Sequence, residues 1–178
     1  NRDGEIKLTT KQVAGLCHRR FGIGADGLML LEHAAGYDFR MVYYNSDGRE
    51  STMCGNGGRC ITAFAKSLGI IHDRADFEAI DGRHTATIQG DGLINLHMND
   101  VAGIDIHEGY TVLNTGSPHY VTWVKNVKDT DVFDEGRRIR NLPEFEPSGT
   151  NVNFVQLLND KLSVRTYERG VEDETLSC

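Results

Sequence analysis

The sequence predicts a mixed α/β protein of two similar lobes, and three observations support that prediction. Short strand-like segments alternate with turns, and the chain of 178 residues holds 20 glycines but only 3 prolines. Several longer segments place apolar residues at helical spacing. A spacing of polar residues around a cysteine occurs once in each half, which is typical of an internal duplication. We expect an N-terminal lobe over residues 1–100 and a C-terminal lobe over residues 101–178.

The composition is that of an ordinary globular protein and argues against two classes of partner. Hydrophobic residues make up 39% of the chain and charged residues 25%, which are usual values for such domains. The formal net charge is -7 and no run rich in Lys and Arg occurs, so we expect no nucleic-acid partner. No apolar run approaches the roughly 20 residues needed to span a bilayer, so we expect no membrane partner either.

Four cysteines stand at positions 17, 54, 60 and 178, and none forms a Cys-x-x-Cys pair. Their spacings match no usual zinc site, so we expect no metal. A secreted scaffold of this length normally carries more cysteine. We therefore expect the thiols of a cytoplasmic protein, with Cys17 and Cys60 acting as packing residues on helices.

The N-terminal lobe alternates helices and strands. Thr9 or Thr10 is a suitable cap for a helix that runs to about Arg20, and a glycine-rich loop follows it. A second helix is predicted over residues 61–68, after a glycine-rich turn. The predicted strands, each bounded by turn residues, cover residues 5–8, 28–32, 38–45, 76–81, 84–89 and 93–98.

The C-terminal lobe follows a lapse in the pattern around residues 100–109, where we place the boundary between the lobes. One helix is predicted over residues 129–139. Asn159 and Asp160 form a hairpin turn signal between two strands. The predicted strands cover residues 110–114, 120–124, 151–158 and 161–168.

The stretch 53–60 carries the clearest chemical signal and reads Met-Cys-Gly-Asn-Gly-Gly-Arg-Cys. Cys54 sits in a glycine-rich turn before the predicted helix. Backbone N–H groups at a helix start carry partial positive charge, which lowers the pKa of a neighbouring thiol and binds an anion such as a carboxylate. A cysteine is more often an inert core residue, but the Gly and Asn neighbours of this one bury it poorly. We therefore predict a functional thiol at Cys54.

Cys178 is the second candidate thiol, because its approach resembles that of Cys54. In the first half a strand ends, a polar turn follows, and Glu50 stands four residues before Cys54. In the second half Glu174 stands four residues before Cys178. Two such thiols suit the inversion of a carbon, which needs an acid and a base on opposite faces.

Polar residues near predicted strand ends are candidates for binding a substrate with amino and carboxylate groups. Glu168 would take an ammonium and Arg169 a carboxylate in bidentate fashion, although such a pair is more often a solvated surface ion pair. His119 enters a strand, where a lone His is more often structural. Several Asn side chains are neutral donors and acceptors or simple turn formers, namely Asn45, Asn56, Asn114, Asn151 and Asn153.

Seven motifs in a fixed order resemble one known family. They are Phe-Gly-Ile-Gly-Ala-Asp-Gly at 21–27, Asn-Ser-Asp-Gly at 45–48, Met-Cys-Gly-Asn-Gly at 53–57, Gly-Ser-Pro-His at 116–119, Asn-Val-Asn-Phe at 151–154, Tyr-Glu-Arg-Gly at 167–170 and Glu-Thr-Leu-Ser-Cys at 174–178. Together they resemble the diaminopimelate epimerase family over essentially the whole chain.

The resemblance implies a fold and an activity. The fold is two similar α/β lobes, each a curved, mainly antiparallel sheet around a central helix, with the active site in the cleft between them. The activity is that of an isomerase without a cofactor, which inverts one α-carbon of LL-2,6-diaminopimelate to the meso form in lysine and peptidoglycan-precursor synthesis. A homodimer is compatible with the resemblance.

The resemblance also implies roles for individual residues. Cys54 and Cys178 are the implied acid/base thiols, and His119 and Glu168 are the implied modulators of the thiol pKa values. The implied substrate-binding residues contact the distal carboxylate and ammonium of the substrate, or bind its reacting carboxylate through backbone amides at the helix start. They are Asn45, Gly55, Asn56, Ser117, Asn151, Glu168 and Arg169.

The chain departs from the family pattern at several points. Gly27 replaces a Gln common in the family, Ser117 replaces the usual Asn, and Glu172-Asp173 adds one residue before Glu174. The family pattern begins with a strand that carries a substrate-binding Asn and continues past the second cysteine into a helix, and neither segment is in this sequence. We therefore expect the 178 residues alone to be inactive.

Two alternatives stay open from the sequence. A proline or hydroxyproline racemase of the same fold shares the first-cysteine motif, but such enzymes usually carry His where Asn56 stands and lack the pair Glu168-Arg169. A non-catalytic thiol-redox or metal-binding module would use Cys54 and Cys178, but the Cys and His residues do not cluster along the chain.

Overall fold

The computed structural model describes residues 1–176, and the chain divides into two compact units. The first unit is Asn1–Asn99, and the second begins at Asp100. Each unit has its own sheet and its own buried core. Within residues 1–176 no helix is both long enough and apolar enough to cross a bilayer.

The first unit consists of a five-stranded sheet and two helices. Its elements are α1 (Thr10–Cys17), β1 (Gly27–Glu32), β2 (Phe39–Asn45), α2 (Gly55–Ser67), β3 (Arg74–Ala79), β4 (Gly82–Ile88) and β5 (Ile94–His97), with the sheet order β1-β2-β3-β4-β5. Neighbouring strands are antiparallel except for β2 and β3, which run parallel and are joined through α2. A parallel pair needs such a crossover connection.

The core of the first unit lies between α2 and the sheet. Phe39 on β2 and Phe77 on β3 are fully buried and stack with ring centroids 4.9 Å apart. Ile61 and Ala65 form part of the buried face of α2. Burial of such apolar surface contributes about 25 cal/mol per Å², so this packing holds α2 against the strands.

The second unit contains a six-stranded sheet and a helix. Its elements are β6 (Ile104–Ile106), β7 (Tyr110–Asn114), β8 (Pro118–Trp123), α3 (Val132–Arg140), β9 (Asn151–Leu158), β10 (Lys161–Glu168) and β11 (Asp173–Thr175), with the sheet order β11-β10-β9-β8-β7-β6. Here β8 and β9 form the parallel pair, and α3 lies between them in the chain. Two short 3₁₀ turns, Val127–Asp129 and Pro143–Phe145, flank α3.

Helix α3 packs closely on β9 and β10. Val152 and Phe154 are two residues apart on β9 and share one face, and both are buried in the same core as Tyr167 of β10. A Cβ on Gly136 of α3 would lie only 2.3 Å from the Cβ of Tyr167. The helix can therefore approach the sheet this closely only because residue 136 is glycine.

The predicted fold class is confirmed, since each half of the chain is a mainly antiparallel sheet accompanied by helices. The hairpin turn predicted at Asn159 and Asp160 is also confirmed. Both residues have positive φ, 46° and 64°, as the type I′ turn of a two-residue hairpin requires. The strands predicted over 110–114, 151–158 and 161–168 are found with those bounds.

The strand predicted over residues 5–8 is wrong. The side chain of Asn1 forms hydrogen bonds with both polar backbone groups of Ile6. Its Oδ1 accepts from the Ile6 N–H at 2.8 Å, and its Nδ2 donates to the Ile6 carbonyl at 3.0 Å. A side-chain interaction of this kind replaces the ladder that a strand needs. Residues 5–7 are exposed, Leu8 is half-buried, and none of the four belongs to a strand.

Two helix boundaries also differ from the prediction. Helix α1 ends at Cys17 rather than near Arg20, because His18 is extended and its Nδ1 accepts from the backbone N–H of Arg20 at 3.1 Å. Helix α2 begins at Gly55, six residues before the predicted start at residue 61. The glycines that were expected to form a turn are therefore the first turn of the helix itself.

The sequence did not predict the strands β6 and β11. Each has three residues, which is too short for an alternation of apolar and polar residues to be recognised. Helix α3 begins at Val132 rather than at residue 129, because the 3₁₀ turn Val127–Asp129 takes the segment before it.

Candidate active site

The thiol of Cys54 occupies the N-cap of α2. The backbone of Cys54 is extended (φ -112°, ψ 119°), and its Sγ accepts a hydrogen bond from the N–H of Gly57 at 3.4 Å. The side chain is half-buried, and the first turn of α2 contains no acidic residue. The sulfur therefore lies at a helix start, where partial positive charge stabilises negative charge on a neighbouring atom.

Two buried glycines bring the first turn of α2 close to the sheet. A Cβ on Gly57 would lie 3.0 Å from the Sδ of Met29, and a Cβ on Gly58 would lie 2.5 Å from the Cε of Met53. A larger residue at either position would require these methionines or the helix start to move. The glycines thus set the position of the turn that carries Cys54.

Gly55 and Asn56 are the first two residues of α2. Backbone N–H groups in the first turn of a helix point out of its start. The side chain of Asn56 accepts a hydrogen bond from the guanidinium of Arg59 through its Oδ1, which orients the amide. Backbone donors beside a thiol at a helix start can hold an anionic oxygen close to that thiol.

Asn45 is the last residue of β2 and begins the turn that leads toward Cys54. Its N–H donates to the carbonyl of Arg49 at 3.0 Å, and its own carbonyl accepts from Gly48 at 2.9 Å. Gly48 has a φ of 85°, and a Cβ there would lie 2.0 Å from the carbonyl oxygen of Thr10. The turn therefore requires glycine, and the side chain of Asn45 is half-buried.

Gly27 lies opposite Asn45 in the pairing of β1 with β2. A Cβ on Gly27 would lie 2.6 Å from the ring Cε2 and 2.7 Å from the hydroxyl oxygen of Tyr43. The ring of Tyr43 thus fills the space beside residue 27. The same Cβ would also lie 2.5 Å from the carbonyl oxygen of Tyr44, so any larger residue at position 27 would require a shift of this strand pair.

The second unit brings three of the predicted residues together at one end of its sheet. Asn151 begins β9 and is 3% exposed. Its Nδ2 donates to the Oγ of Ser117 at 3.0 Å, and its Oδ1 accepts from the backbone N–H of Arg169 at 3.0 Å. Because β8 runs parallel to β9 and β10 antiparallel, the starts of β8 and β9 meet the end of β10.

His119, on β8, belongs to the same end of the sheet. It pairs with Asn151 in the register of β8 with β9. Its Nδ1 lies 3.1 Å from the Nδ2 of Asn153. Burial lowers the pKa of His119 below its ordinary value, the hydrogen bond with Asn153 raises this pKa in part, and the positive charge of Arg169 lowers it. The imidazole is therefore held toward its neutral form.

Asn153, one of the neutral amides that the sequence suggested, and Thr166, which the sequence did not single out, are buried polar residues at this site. The Oδ1 of Asn153 accepts from the Oγ1 of Thr166 at 2.9 Å, and its Nδ2 donates to the carbonyl of Tyr120 at 3.0 Å. Asn153 lies two residues after Asn151 on β9, and alternate residues of a strand share a face. That spacing places the two Asn side chains on the same face of the sheet.

Glu168 is the last residue of β10, and Arg169 is the first residue of the turn to β11. Both are half-buried. Within this turn Glu172 has a φ of 60°. Its Oε1 accepts from the N–H of Gly170 at 3.0 Å and lies 2.9 Å from the guanidinium of Arg140. These contacts stabilise the turn between β10 and β11, which precedes Cys178 in the sequence.

Arg165 connects β11 to the rest of the second unit. Its guanidinium meets both carboxylate oxygens of Glu174 at 2.6 Å and donates to the carbonyls of Val127 and Thr130, each at 2.9 Å. Such a bidentate arrangement is geometrically specific. Glu174, which was paired with Glu50 in the sequence comparison of the two halves, thus has a structural partner within its own unit.

The predicted residues therefore fall into two groups, one in each unit. In the first unit Cys54, Gly55 and Asn56 form the start of α2, and Asn45 ends β2. The second group lies at the starts of β8 and β9 and the end of β10. Cys178 lies outside the described residues. In residues 1–176 no group of three or more His, Cys, Asp or Glu side chains is arranged to hold a metal ion.

The two other cysteines have different environments. Cys17 is buried, as predicted for a packing residue, and burial raises the pKa of its thiol, with a further increase from Asp26. Cys60 is exposed, so the packing role predicted for it is wrong. Phe64, one helical turn after Cys60, is 53% exposed, and the buried face of α2 contains Ile61 instead.

The family model and the sequence relatives agree on one family. A family model described as diaminopimelate epimerase matches residues 1–102. A diaminopimelate epimerase of Flavobacterium psychrophilum is 56% identical over 173 residues, which is 97% of this chain and 68% of the relative. A diaminopimelate epimerase of Chlorobaculum tepidum is 47% identical over 190 aligned residues, covering 100% of this chain and 72% of the relative.

A solved structure with a similar fold is that of a hydroxyproline epimerase from Agrobacterium vitis with bound trans-4-hydroxy-L-proline. The two share a TM-score of 0.62 and 17% sequence identity, over 86% of this chain and 57% of that chain. At this level of identity the similarity supports the two-sheet α/β fold alone. This chain spans little more than half the length of that structure.

Proposed function

Because this chain belongs to the diaminopimelate epimerase family, we propose that it carries the activity of an isomerase that inverts one α-carbon of LL-2,6-diaminopimelate to the meso form. The reaction serves lysine and peptidoglycan-precursor synthesis. The observation that carries the proposal is the half-buried thiol of Cys54 at the N-cap of α2, with the N–H of Gly57 3.4 Å from its sulfur. A thiol in that position is suited to proton transfer.

The reacting α-carbon is the first point of the proposed mechanism. An amino-acid α-proton is too weakly acidic for a thiolate in water to remove it readily. The backbone N–H groups of Gly55 and Asn56 would bind the α-carboxylate and stabilise the charge that develops on it, and this effect is stronger where water is excluded. Cys54 would exchange the proton on one face of the carbon.

Inversion requires a second acid/base group on the other face, and we propose Cys178 for it. One cysteine acts as the thiolate base and the other as the thiol acid, and the reverse reaction exchanges the two roles. The proton removed by the first stays on its sulfur while the second supplies a proton, so atoms and charge balance without a cofactor. His119 and Glu168 would tune the pKa values of the thiols.

The distal amino and carboxylate groups of the substrate are the proposed source of specificity. Asn45, Asn151 and Arg169 would bind the distal carboxylate, and Glu168 would bind the distal ammonium. Support comes from the hydrogen bond between Asn151 Oδ1 and the N–H of Arg169, which joins two of these residues at one sheet end. Ser117, which accepts from Asn151, would complete that subsite.

We propose the cytoplasm as the compartment and a homodimer as a possible assembly. Support for the compartment is the cysteine content, four in 178 residues, because a secreted scaffold of this length normally carries more cysteine. The substrate is a small molecule, and the net charge of -7 gives no support to a nucleic-acid partner.

The direct test uses the longest natural form of the protein that contains these 178 residues. LL-diaminopimelate is incubated with the enzyme, and the stereoisomers are separated by chromatography, with L-proline as the parallel substrate. We expect the meso isomer to form and L-proline to stay unchanged. Racemisation of proline without inversion of diaminopimelate would instead assign the protein to the alternative substrate class.

A further inference from the structure

We propose that Asn153 is a positioning residue that holds the imidazole of His119 in the neutral tautomer with its proton on Nε2. The functional part of this inference rests on the proposed function, in which His119 acts near the reacting thiols. The structural part depends only on the hydrogen bonds of a buried amide. Asn153 lies in the motif at 151–154, but the resemblance to the family implied no role for it.

The orientation of the Asn153 amide is fixed by two neighbours. A backbone carbonyl can only accept, so the atom 3.0 Å from the carbonyl of Tyr120 must be the NH₂ group of Asn153. The other end of the amide, Oδ1, accepts from the hydroxyl of Thr166 at 2.9 Å. Rotating the amide by half a turn would place two acceptors against each other at Tyr120, so the assignment has one solution.

This orientation of the amide determines which ring nitrogen of His119 carries the proton. The NH₂ group of Asn153 lies 3.1 Å from Nδ1, so Nδ1 must accept and cannot carry a proton without setting two donors against each other. In a neutral imidazole the proton is then on Nε2. Asn153 is only 8% exposed, which makes an unsatisfied amide costly and the arrangement strongly preferred.

The surroundings of the ring favour the neutral form as well. The strands on either side place Leu113 and Asn151 opposite His119, and neither side chain titrates. Burial is the largest effect on the pKa of His119 and lowers it, the hydrogen bond with Asn153 raises it, and the positive charge of Arg169 lowers it, so that the pKa lies below its ordinary value. Burial and the charge of Arg169 thus act against the imidazolium, in which Nδ1 would have to donate.

The consequence for chemistry is that His119 is a hydrogen-bond donor through Nε2 and not a proton acceptor at Nδ1. A base would need an unprotonated nitrogen facing the proton to be removed. His119 would therefore tune a thiol or bind an oxygen by donating to it, and the proton of the α-carbon would pass to sulfur. Asn153 and Thr166 act through His119 and need not touch the substrate.

The test is nitrogen-15 NMR of the histidine rings in uniformly labelled protein at neutral pH. The signals of His119 are assigned by their loss in His119→Gln. We expect the unmodified protein to show Nδ1 without a proton and Nε2 with one. A proton on Nδ1, or an imidazolium at neutral pH, would overturn the inference without the use of any further variant.

Two variants test the role of Asn153 itself. In Asn153→Asp a carboxylate faces Nδ1, so we expect the ring proton to move to Nδ1 and kcat for α-carbon exchange to fall roughly 10- to 100-fold. Thr166→Val removes one of the two contacts that orient the amide, the hydrogen bond to Oδ1, and leaves the carbonyl of Tyr120 in place. We expect it to shift the ring signals toward a mixture of tautomers, by less than Asn153→Asp does. Unchanged ring signals in the folded Asn153→Asp protein, or in Thr166→Val if the first variant fails to fold, would contradict the inference.

Thr122→Val is the matched control. Thr122 is also on the second sheet, and its hydroxyl donates to the carbonyl of Gly109 at 3.0 Å, so the same group is lost without a link to His119. We expect its ring signals and its exchange rate to match those of the unmodified protein. Failure of the proposed function would be seen separately, as absence of α-carbon exchange in a protein whose His119 carries the expected tautomer.

Discussion

The backbone of Tyr167 pairs in antiparallel register with that of Glu174. In the first unit Tyr44 forms an antiparallel bridge with Glu50. In the sequence both glutamates stand four residues before a cysteine, Cys178 and Cys54 respectively. The spacing that suggested an internal duplication therefore corresponds to the same local pairing at two strand ends.

The two segments differ in length by one residue, because the second contains the additional Glu172. Glu172 has a φ of 60° and is held by Arg140 and by the hydroxyl of Tyr167. A left-handed residue in a turn can absorb an insertion without shifting the strand pairing that follows. The register of Glu174 opposite Tyr167 is preserved in this way.

Asn151 offers a prediction about both stability and binding. Asn151→Ala removes the acceptor of the Arg169 N–H and the donor to Ser117, so we expect the second unit to lose about 1–3 kcal/mol of unfolding free energy. We also expect KM for diaminopimelate to rise more than kcat falls, because the proposed contacts are to distal groups. Chemical denaturation and steady-state kinetics measure the two effects.

The control for this prediction is Asn114→Ala. Asn114 is exposed and accepts one hydrogen bond, from the N–H of Gly116 at 2.8 Å. Because that bond faces solvent, its loss should change stability and KM little. Equal effects of the two substitutions on KM would contradict the binding role of Asn151.

The pH dependence of stability should report His119. Its pKa in the folded protein is lowered from 6.5, so the unfolded chain binds more protons as the pH falls below that value. The contribution of the neutral ring is fully present above the unfolded pKa and is lost as the pH falls toward the folded pKa. We expect the unfolding free energy to fall more steeply below neutral pH in the unmodified protein than in His119→Gln. Identical slopes would argue against a buried, neutral His119.

Gly136 and Gly15 form a matched pair of helix glycines. A Cβ on Gly136 would lie 2.3 Å from the Cβ and 2.7 Å from the Cγ of Tyr167, whereas a Cβ on Gly15 meets nothing within 4 Å. We expect Gly136→Ala to destabilise the protein by about 1–3 kcal/mol through overpacking. Gly15→Ala should stabilise it by about 0.5–1 kcal/mol, because alanine is the better helix former. Thermal unfolding of both variants checks the two signs, and a stabilising Gly136→Ala would contradict the packing of α3 on β10.

Much of the fold could be predicted from the sequence, because strands alternate in polarity and hairpin turns need residues that tolerate positive φ. The hairpin at Asn159 and Asp160 shows this well. The start of α2 could not be predicted in the same way. Glycine is a poor helix former, so the local sequence argues against a helix there. Gly57 and Gly58 nevertheless lie in the helix, in close contact with Met29 and Met53. This tertiary contact gives no local signal in the sequence.

The candidate site could be predicted where a motif fixes local geometry and not where it depends on a partner strand. Cys54 is marked by the glycines around it. Asn153 has the same residue type and strand face as Asn151, and only the positions of His119 and Thr166 on other strands give it a separate task. The missed strand β11 places Glu174 beside Arg165, a contact that no local pattern indicates.

The measurement that tests the central claim most directly is deuterium incorporation at the α-carbon of LL-diaminopimelate in heavy water. It compares the longest natural form of the protein with its Cys54→Ser variant. The proposed mechanism predicts deuterium at one α-carbon of the meso product formed by the unmodified protein and a loss of inversion of at least about 100-fold in the variant. Full turnover by a folded Cys54→Ser protein, or inversion without deuterium in the product, would contradict it.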